Sequence, residues 1–280
     1  MTTWQVDFYH RPLRDSSGKP VWELAVCSLD QNFKTHAFCA QSDANSDWLA
    51  EQFKAIAAAT HQLPDHIQVF RPQAVGLVEA ACRRLGITLT PTRKTPELKD
   101  YLKERSNQYQ HLDYYTHEPY DPVRLEQPPP APIPENLWGE TWQFAAIAAA
   151  DLNPFFHDLP IPIRDSPDGM RPIELKLSST VPVPGVVITA GRQSMRLARW
   201  LNDARPVALE YIPGDPDGLI LEAGLIDRWI LVTFNDPDVR QAAQVFQSRL
   251  QQTDGLHFLL VQPDVSGMTY SGFWLLKSGK

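Results

Sequence analysis

The chain has 280 residues, 43% of them hydrophobic and 21% charged, with a formal net charge of -7. That composition excludes a largely disordered protein and is long enough for two cores. The acidic balance excludes a generally polybasic nucleic-acid binder, so any RNA or DNA contact must come from a local basic patch.

Cys27, Cys39 and Cys82 are odd in number and show no CxxC spacing. This suits a reducing compartment, with the thiols buried as small apolar groups, and speaks against a zinc site. The start, Met1 to Asp7, runs straight into a strand pattern with no signal or transit-peptide character, and no apolar run approaches bilayer length. A cytosolic location is expected.

Trp4, Val6 and Phe8 alternate with Gln5, Asp7 and Tyr9, the period of a half-buried strand. Residues 14 to 20 read as a turn, Val21 to Ser28 as the returning strand and Phe33 to Ala40 as a third. Ser46 can cap a helix from Trp48 to His61, with Trp48, Leu49, Phe53 and Ile56 on its apolar side. Ile67 to Phe70 is strand-like, Gln73 to Leu85 is helical and stops at Gly86, Ile87 to Pro91 is a strand, and Thr95-Pro96 opens a helix to about Gln110. The resulting order, βββαβαβα, implies a mixed sheet with helices on its faces and resembles the ribonuclease H-like fold.

Enzymes of that fold hold two divalent metals with carboxylates. Here Asp7 and Glu51 stand in the first two places, with Asp100 or Glu104 for the last, but the fourth strand ends in Arg71, whose fixed positive charge repels a cation. Asp7 and Glu51 are therefore expected to be solvent-facing carboxylates. Residues 93 to 105 carry five basic and three acidic side chains, a run expected to form a solvated helix face. The other reading makes Arg93, Lys94, Lys99 and Lys103 a phosphate-binding patch, with Tyr101, Tyr109, Tyr114 and Tyr115 as stacking surfaces for unpaired bases.

Proline dominates Pro119 to Pro122 and Gln127 to Pro134, so an extended spacer is expected between domains at 1–118 and 136–280. Thr141-Trp-Gln143 repeats Thr3-Trp-Gln5. Thr141 to Ala150 reads as a strand or a short helix. Ile173 to Leu177 and Val186 to Ala190 read as strands. Pro206 to Ile212 and Leu219 to Ala223 form a hairpin, Arg228 to Phe234 is a strand, and Asn235-Asp-Pro237 caps a helix to about Gln252. His257 to Val261 is a strand and Gly272 to Leu276 closes the sheet of a second α/β or α+β domain.

Within that domain, Gly191 makes a tight turn from a buried strand into a helix. There Arg192, Arg196 and Arg199 share a face at i, i+4, i+7, while Met195, Leu197, Trp200 and Leu201 supply the apolar side. Two readings stand. In one, the helix-start amides and the arginines form an anion site; in the other, the helix is ordinary and its arginines are solvated or paired. No Walker lysine or G-x-G-x-x-G is present.

Pro167-Asp168 and Glu174-Leu-Lys176 match the spacing of restriction-type nucleases, in which acidic groups hold a metal and the lysine assists water. Prolines 160, 162, 172, 182 and 184 limit the central strands that such a core needs. The histidines show neither HxH nor HExxH spacing, and no serine sits in a nucleophile elbow. No metal or cofactor is expected.

Several stretches together resemble one family: Trp4 to Tyr9 with Trp22-Glu-Leu24, Gly191 to Trp200, Gly255 to Leu260, and above all Gly272-Phe-Trp-Leu-Leu276. They are similar to the Tab/Atab family of photosystem I translation factors of chloroplasts and cyanobacteria. The resemblance implies an RNA-binding protein acting on the untranslated region of a photosystem I core-subunit message, with protein partners in translation or assembly. Trp274, Leu275 and Leu276 carry over as the family hallmark. The start without a transit peptide points to a cyanobacterial member, cytoplasmic or peripheral to thylakoids. The expected protein is non-catalytic, with Arg192, Arg196 and Arg199 as its main phosphate contacts. The rivals are a metal-dependent nuclease and a scaffold for photosystem assembly.

Overall fold

A computed structural model describes residues 2–30, 32–167 and 169–278, with only the backbone of Phe156 and His157. The chain is mixed α/β and divides into two compact units, Met1–Glu126 and Gln127–Lys280.

The first unit runs β1 (Thr3–Arg14), β2 (Pro20–Ser28), β3 (Lys34–Ala40), α1 (Ser46–Thr60), β4 (His66–Val69), α2 (Pro72–Leu85), β5 (Thr88–Pro91) and α3 (Pro96–Tyr109). This is the element order expected from the sequence. The strands lie in the order β3-β2-β1-β4-β5, with β2 antiparallel to β1 and β3, and β4 parallel to β1 and β5. Local signals set the boundaries. Gly86, at φ +70, ends α2, while Pro72 and Pro96 begin α2 and α3, where an amide would be orphaned anyway. The α1 cap is Asn45 rather than Ser46: its side chain accepts from the Asp47 and Trp48 amides, a reach that Ser46, already inside the first turn, lacks.

One face of this sheet packs Trp4, Val6, Phe8, Leu24 and Val26 under α1 and α2. Full burial of each such side chain contributes about 1.5–3 kcal/mol. The opposite face departs from expectation, because it is covered too. Ala25 and Cys27 pack with Phe70 and with Leu98, Tyr101 and Leu102 of α3, and Val123 and Leu125 join them. Asp7 is therefore wholly buried rather than solvent-facing, as are Gln5 and Glu23, whereas Glu51 is exposed as expected. Gln5 uses its carbonyl to accept from the Leu98 amide, one of the orphan donors at the start of α3. Half of the proline-rich spacer is likewise not free, since residues 119 to 126 pack on the first unit.

The second unit contains β6 (Ala131–Pro132), β7 (Thr141–Ala148), α4 (Asn153–His157), β8 (Ile163–Asp165), β9 (Pro182–Thr189), α5 (Ser194–Ala204), β10 (Pro206–Ile212), β11 (Asp217–Ala223), β12 (Asp227–Phe234), α6 (Pro237–Gln252), β13 (Leu256–Gln262) and β14 (Gly272–Lys277). They make two sheets, β10-β11-β12-β6 and β7-β9-β13-β14-β8. Three expectations are corrected here. Residues 173 to 177 are not a strand but a turn stitched by Leu175 N–H to Arg171 and Leu177 N–H to Pro172, with Ile173 80% exposed. The strand β9 begins earlier than expected despite Pro182 and Pro184. Those prolines pair only with β7, and β9 gains its parallel neighbour β13 from Gly185 onward, where amides are available. Finally, β14 does not close its sheet but lies inside it, between β13 and β8.

Candidate nucleic-acid interface

The strand-to-helix corner after β9 forms as the sequence suggests, except that Gly191–Gln193 make a short 3-10 turn and α5 begins only at Ser194, so Arg192 precedes the helix that carries Arg196 and Arg199. Gly191 has φ +50, and α5 buries Leu197, Ala198 and Leu201 against the sheet, with Trp200 edge-on to Trp229 at 5.3 Å. A helix that fixes its apolar stripe this way also fixes the opposite one. Arg192, Arg196 and Arg199 are all exposed, and none has a hydrogen-bond or ion-pair partner among the described residues. Two other arginines of the unit are engaged, Arg228 with Glu210 at 2.9 Å and Arg240 with Asp217 at 2.6 Å.

The helix start itself is not an open anion site. The Gly191 amide donates to the Pro263 carbonyl at 3.1 Å, the Gln193 amide donates to Ala190 at 2.9 Å, and the Glu140 carboxylate lies against the Gly191 α-carbon, leaving no room for a Cβ. The protein's own acid thus stands beside the turn that leads into α5. Attraction for an external phosphate rests on the guanidinium groups instead.

The second expected patch is dispersed. Lys94 is exposed, and Lys103 pairs with Asp100 at 3.5 Å at the surface. Lys99 turns inward: its ammonium donates to the Arg93 carbonyl at 2.7 Å and stands 5.6 Å from the Phe70 ring, and burial, then Arg93 and Lys103, lower its pKa. Arg93 is half-buried. Tyr101 and Tyr109 are 7% and 0% exposed and cannot stack on bases. Tyr114 is 64% exposed, while Tyr115 is half-buried in a bridge to Leu13.

Sequence reasoning missed a dense, buried charge cluster in the first unit. Beneath α3, Arg11 donates to Glu23 at 2.7 Å, to Asp7 at 3.0 Å and to the Tyr120 hydroxyl at 3.1 Å. Arg71 donates to Asp7 at 2.9 Å and to the carbonyls of Pro122 and Arg124 at 2.8 and 3.1 Å, with Tyr9 stacked 4.3 Å from its guanidinium. Arg105, expected on a solvated face, is 4% exposed and grips Glu23 at 2.6 and 2.9 Å, while the Tyr109 hydroxyl donates to the same carboxylate. Burial opposes the Arg11 charge, but Asp7 above all outweighs it and holds its pKa well above the ordinary value. Burial, followed by Glu23, raises the Tyr109 hydroxyl. Three guanidinium groups thus surround two carboxylates. The sequence carried one usable signal: Leu98, Tyr101, Leu102, Arg105 and Tyr109 form a single helical stripe, which puts Arg105 on the buried face.

The restriction-type alternative is not assembled. Glu174 and Lys176 lie exposed on the 171–177 turn, and Asp168 falls outside the described residues. Among the described residues no three His, Cys, Asp or Glu side chains are grouped to hold a metal. Burial pushes the Cys27 and Cys82 thiols up to about 12 and half-buried Cys39 to about 11, so none is a ready nucleophile. Trp274, Leu275 and Leu276 are at most 2% exposed, and the Trp274 ring covers the Gly272 α-carbon. The hallmark tripeptide is core, not surface. No helix among the described residues is long and apolar enough to cross a membrane.

A family model described as "RNA-binding protein Tab2/Atab2 N terminal" matches residues 3–105, and one described as "RNA-binding protein Tab2/Atab2, C-terminal domain" matches residues 120–277. Two plant proteins, each named "Protein TAB2 homolog, chloroplastic", are similar over 98% of this chain. The one from Zea mays is 29% identical with 70% of its length covered, and the one from Arabidopsis thaliana is 28% identical with 74% covered. Among solved structures, a chain of "CryoEM structure of simian T-cell lymphotropic virus intasome in complex with PP2A regulatory subunit B56 gamma" aligns with 52% of this chain and 62% of its own. Its identity of 16% and TM-score of 0.29 carry no argument about fold.

Proposed function

We propose, proceeding from a chain that belongs to the Tab2/Atab2 family of RNA-binding proteins, that this protein binds single-stranded RNA through the arginine face of α5. In this reading it acts without catalysis, promoting translation of a photosystem I core-subunit message. The observation that carries the binding site is a set of three exposed arginines, Arg192 in the turn before α5 and Arg196 and Arg199 on the helix, none with a partner among the described residues, in a chain whose net charge is -7. Against an acidic background, such a cluster is where a phosphate backbone gains most and is repelled least. Tyr114 and Lys94 on the first unit remain secondary contacts in this proposal.

The non-catalytic part draws on the first unit. Its strand order β3-β2-β1-β4-β5 is in keeping with a ribonuclease H-like ancestry. A metal ion at Asp7 would have to displace Arg11 and Arg71, both within 3.0 Å of that carboxylate. The buried cluster favours a structural role for these carboxylates over a cleavage site.

Crosslinking in cells, followed by sequencing of the bound RNA, tests the proposal. The wild-type protein should recover photosystem I messages, and an Arg192→Glu/Arg196→Glu variant should recover far less. Equal recovery by both would move the site elsewhere, and a wild-type protein that crosslinks no RNA would overturn the function.

A further inference from the structure

We propose that Trp138 and the α5 arginines form one composite site for single-stranded RNA, in which an unpaired base stacks on the indole while neighbouring phosphates meet Arg192 and Arg196. The inference deepens the RNA-binding reading and rests on it. Trp138 is 58% exposed, although full burial of a large aromatic side chain is favourable. Its exposed ring is nevertheless held. The indole Nε1 donates to the Ile133 carbonyl at 3.3 Å, the Trp138 amide donates to Glu135 at 3.2 Å, and the preceding Leu137 is anchored in the core. A stacking surface fixed beforehand loses little conformational entropy when a base settles on it.

The backbone brings this ring to the arginine corner. The Gly139 α-carbon packs against the Ile188 side chain and the Thr189 carbonyl too closely for any Cβ, and the Glu140 amide donates to that same carbonyl at 2.8 Å. The Glu140 carboxylate then touches Gly191, the residue before Arg192. Only two residues therefore separate the exposed indole from the joint on which the arginines stand. Glu140 sets a negative charge beside the Gly191–Gln193 turn, which repels a phosphate there and leaves the guanidinium groups as its contacts. Stacking needs a base face that a duplex hides, so the combination selects single strands.

The test is fluorescence anisotropy of the full chain with a labelled oligouridine RNA, alone and annealed to its complement. Trp138→Ala should weaken single-strand binding at least about five-fold, with the salt dependence unchanged and duplex binding unaffected. Trp138→Phe should keep most of the affinity, and Arg192→Glu/Arg196→Glu should lower both the affinity and the salt dependence. Wild-type affinity in Trp138→Ala alongside loss in the arginine variant, or equal losses in Trp138→Ala and Trp138→Phe, would overturn the stacking site and leave the RNA reading standing. A wild-type protein without affinity for oligouridine would overturn both.

Discussion

In the first unit Arg11, Arg71 and Arg105 are at most 4% exposed and each grips a carboxylate, whereas in the second Arg192, Arg196 and Arg199 stand in solvent and grip none. The residue type is the same, so the difference lies in what the fold sets opposite it. Asp7 and Glu23 lie on the same face of two paired strands, with Asp7 opposite Ala25 and Glu23 opposite Tyr9, and α3 closes over them. On α5, no ion pair engages Arg196 or Arg199 among the described residues. A buried guanidinium is committed to structure, because removing it strands its partners; an exposed, unpaired one keeps its charge available for a ligand.

The largest expected effect comes from breaking the buried side of this contrast. Glu23→Ala leaves Arg11 and Arg105 without their shared carboxylate and should destabilise the first unit by about 3–5 kcal/mol, read as a shift in its urea unfolding transition. A loss below about 1 kcal/mol, the range of surface pairs, would mean that the cluster is not the anchor described.

A second buried base sharpens the point, since it is neutral rather than paired. His257 accepts from the Leu209 amide and donates to the Gly255 carbonyl, each at 2.8 Å, and burial lowers its pKa from 6.5 to about 4. The folded state therefore refuses a proton that the unfolded chain accepts. This stabilisation is complete above pH 6.5 and is lost as pH falls from there toward 4, by about 1.4 kcal/mol per pH unit at most. Urea titrations between these limits should show that slope in the wild type and a shallower one in His257→Gln; equal slopes would contradict it.

The smallest effect probes the exposed side. Glu140→Gln removes one surface charge beside the arginine corner and should tighten RNA binding by less than about five-fold; weaker binding would contradict the repulsion assigned to Glu140.

The first unit's element order was legible because each segment carries its own period and its own stop, such as Gly86 after α2 and Pro96 at the start of α3. The burial of its second face was not. Alternation along β1 marks Gln5, Asp7 and Tyr9 as the polar face, and a strand alone cannot reveal that a helix 90 residues later covers it. The same limit explains the turn at 171–177. Ile173-Glu-Leu-Lys-Leu177 alternates like a strand, yet the sheet edge belongs to Ile163–Asp165, which pairs with β14. The exposure of Arg196 and Arg199 was legible because helical spacing is local, whereas the 3-10 turn that sets Arg192 ahead of α5 was not. Trp138 was not, because an exposed tryptophan at the end of a proline-rich stretch shows its relevance only once β7 is laid beside β9.

The most direct test is RNA affinity across a salt series for the wild type and Arg192→Glu/Arg196→Glu. The expected result is a loss of roughly ten-fold or more at low salt, with a slope of log affinity against log salt shallower by about 1.4, two single-strand phosphate contacts. Superimposable curves would contradict the claim that these arginines hold the phosphate backbone.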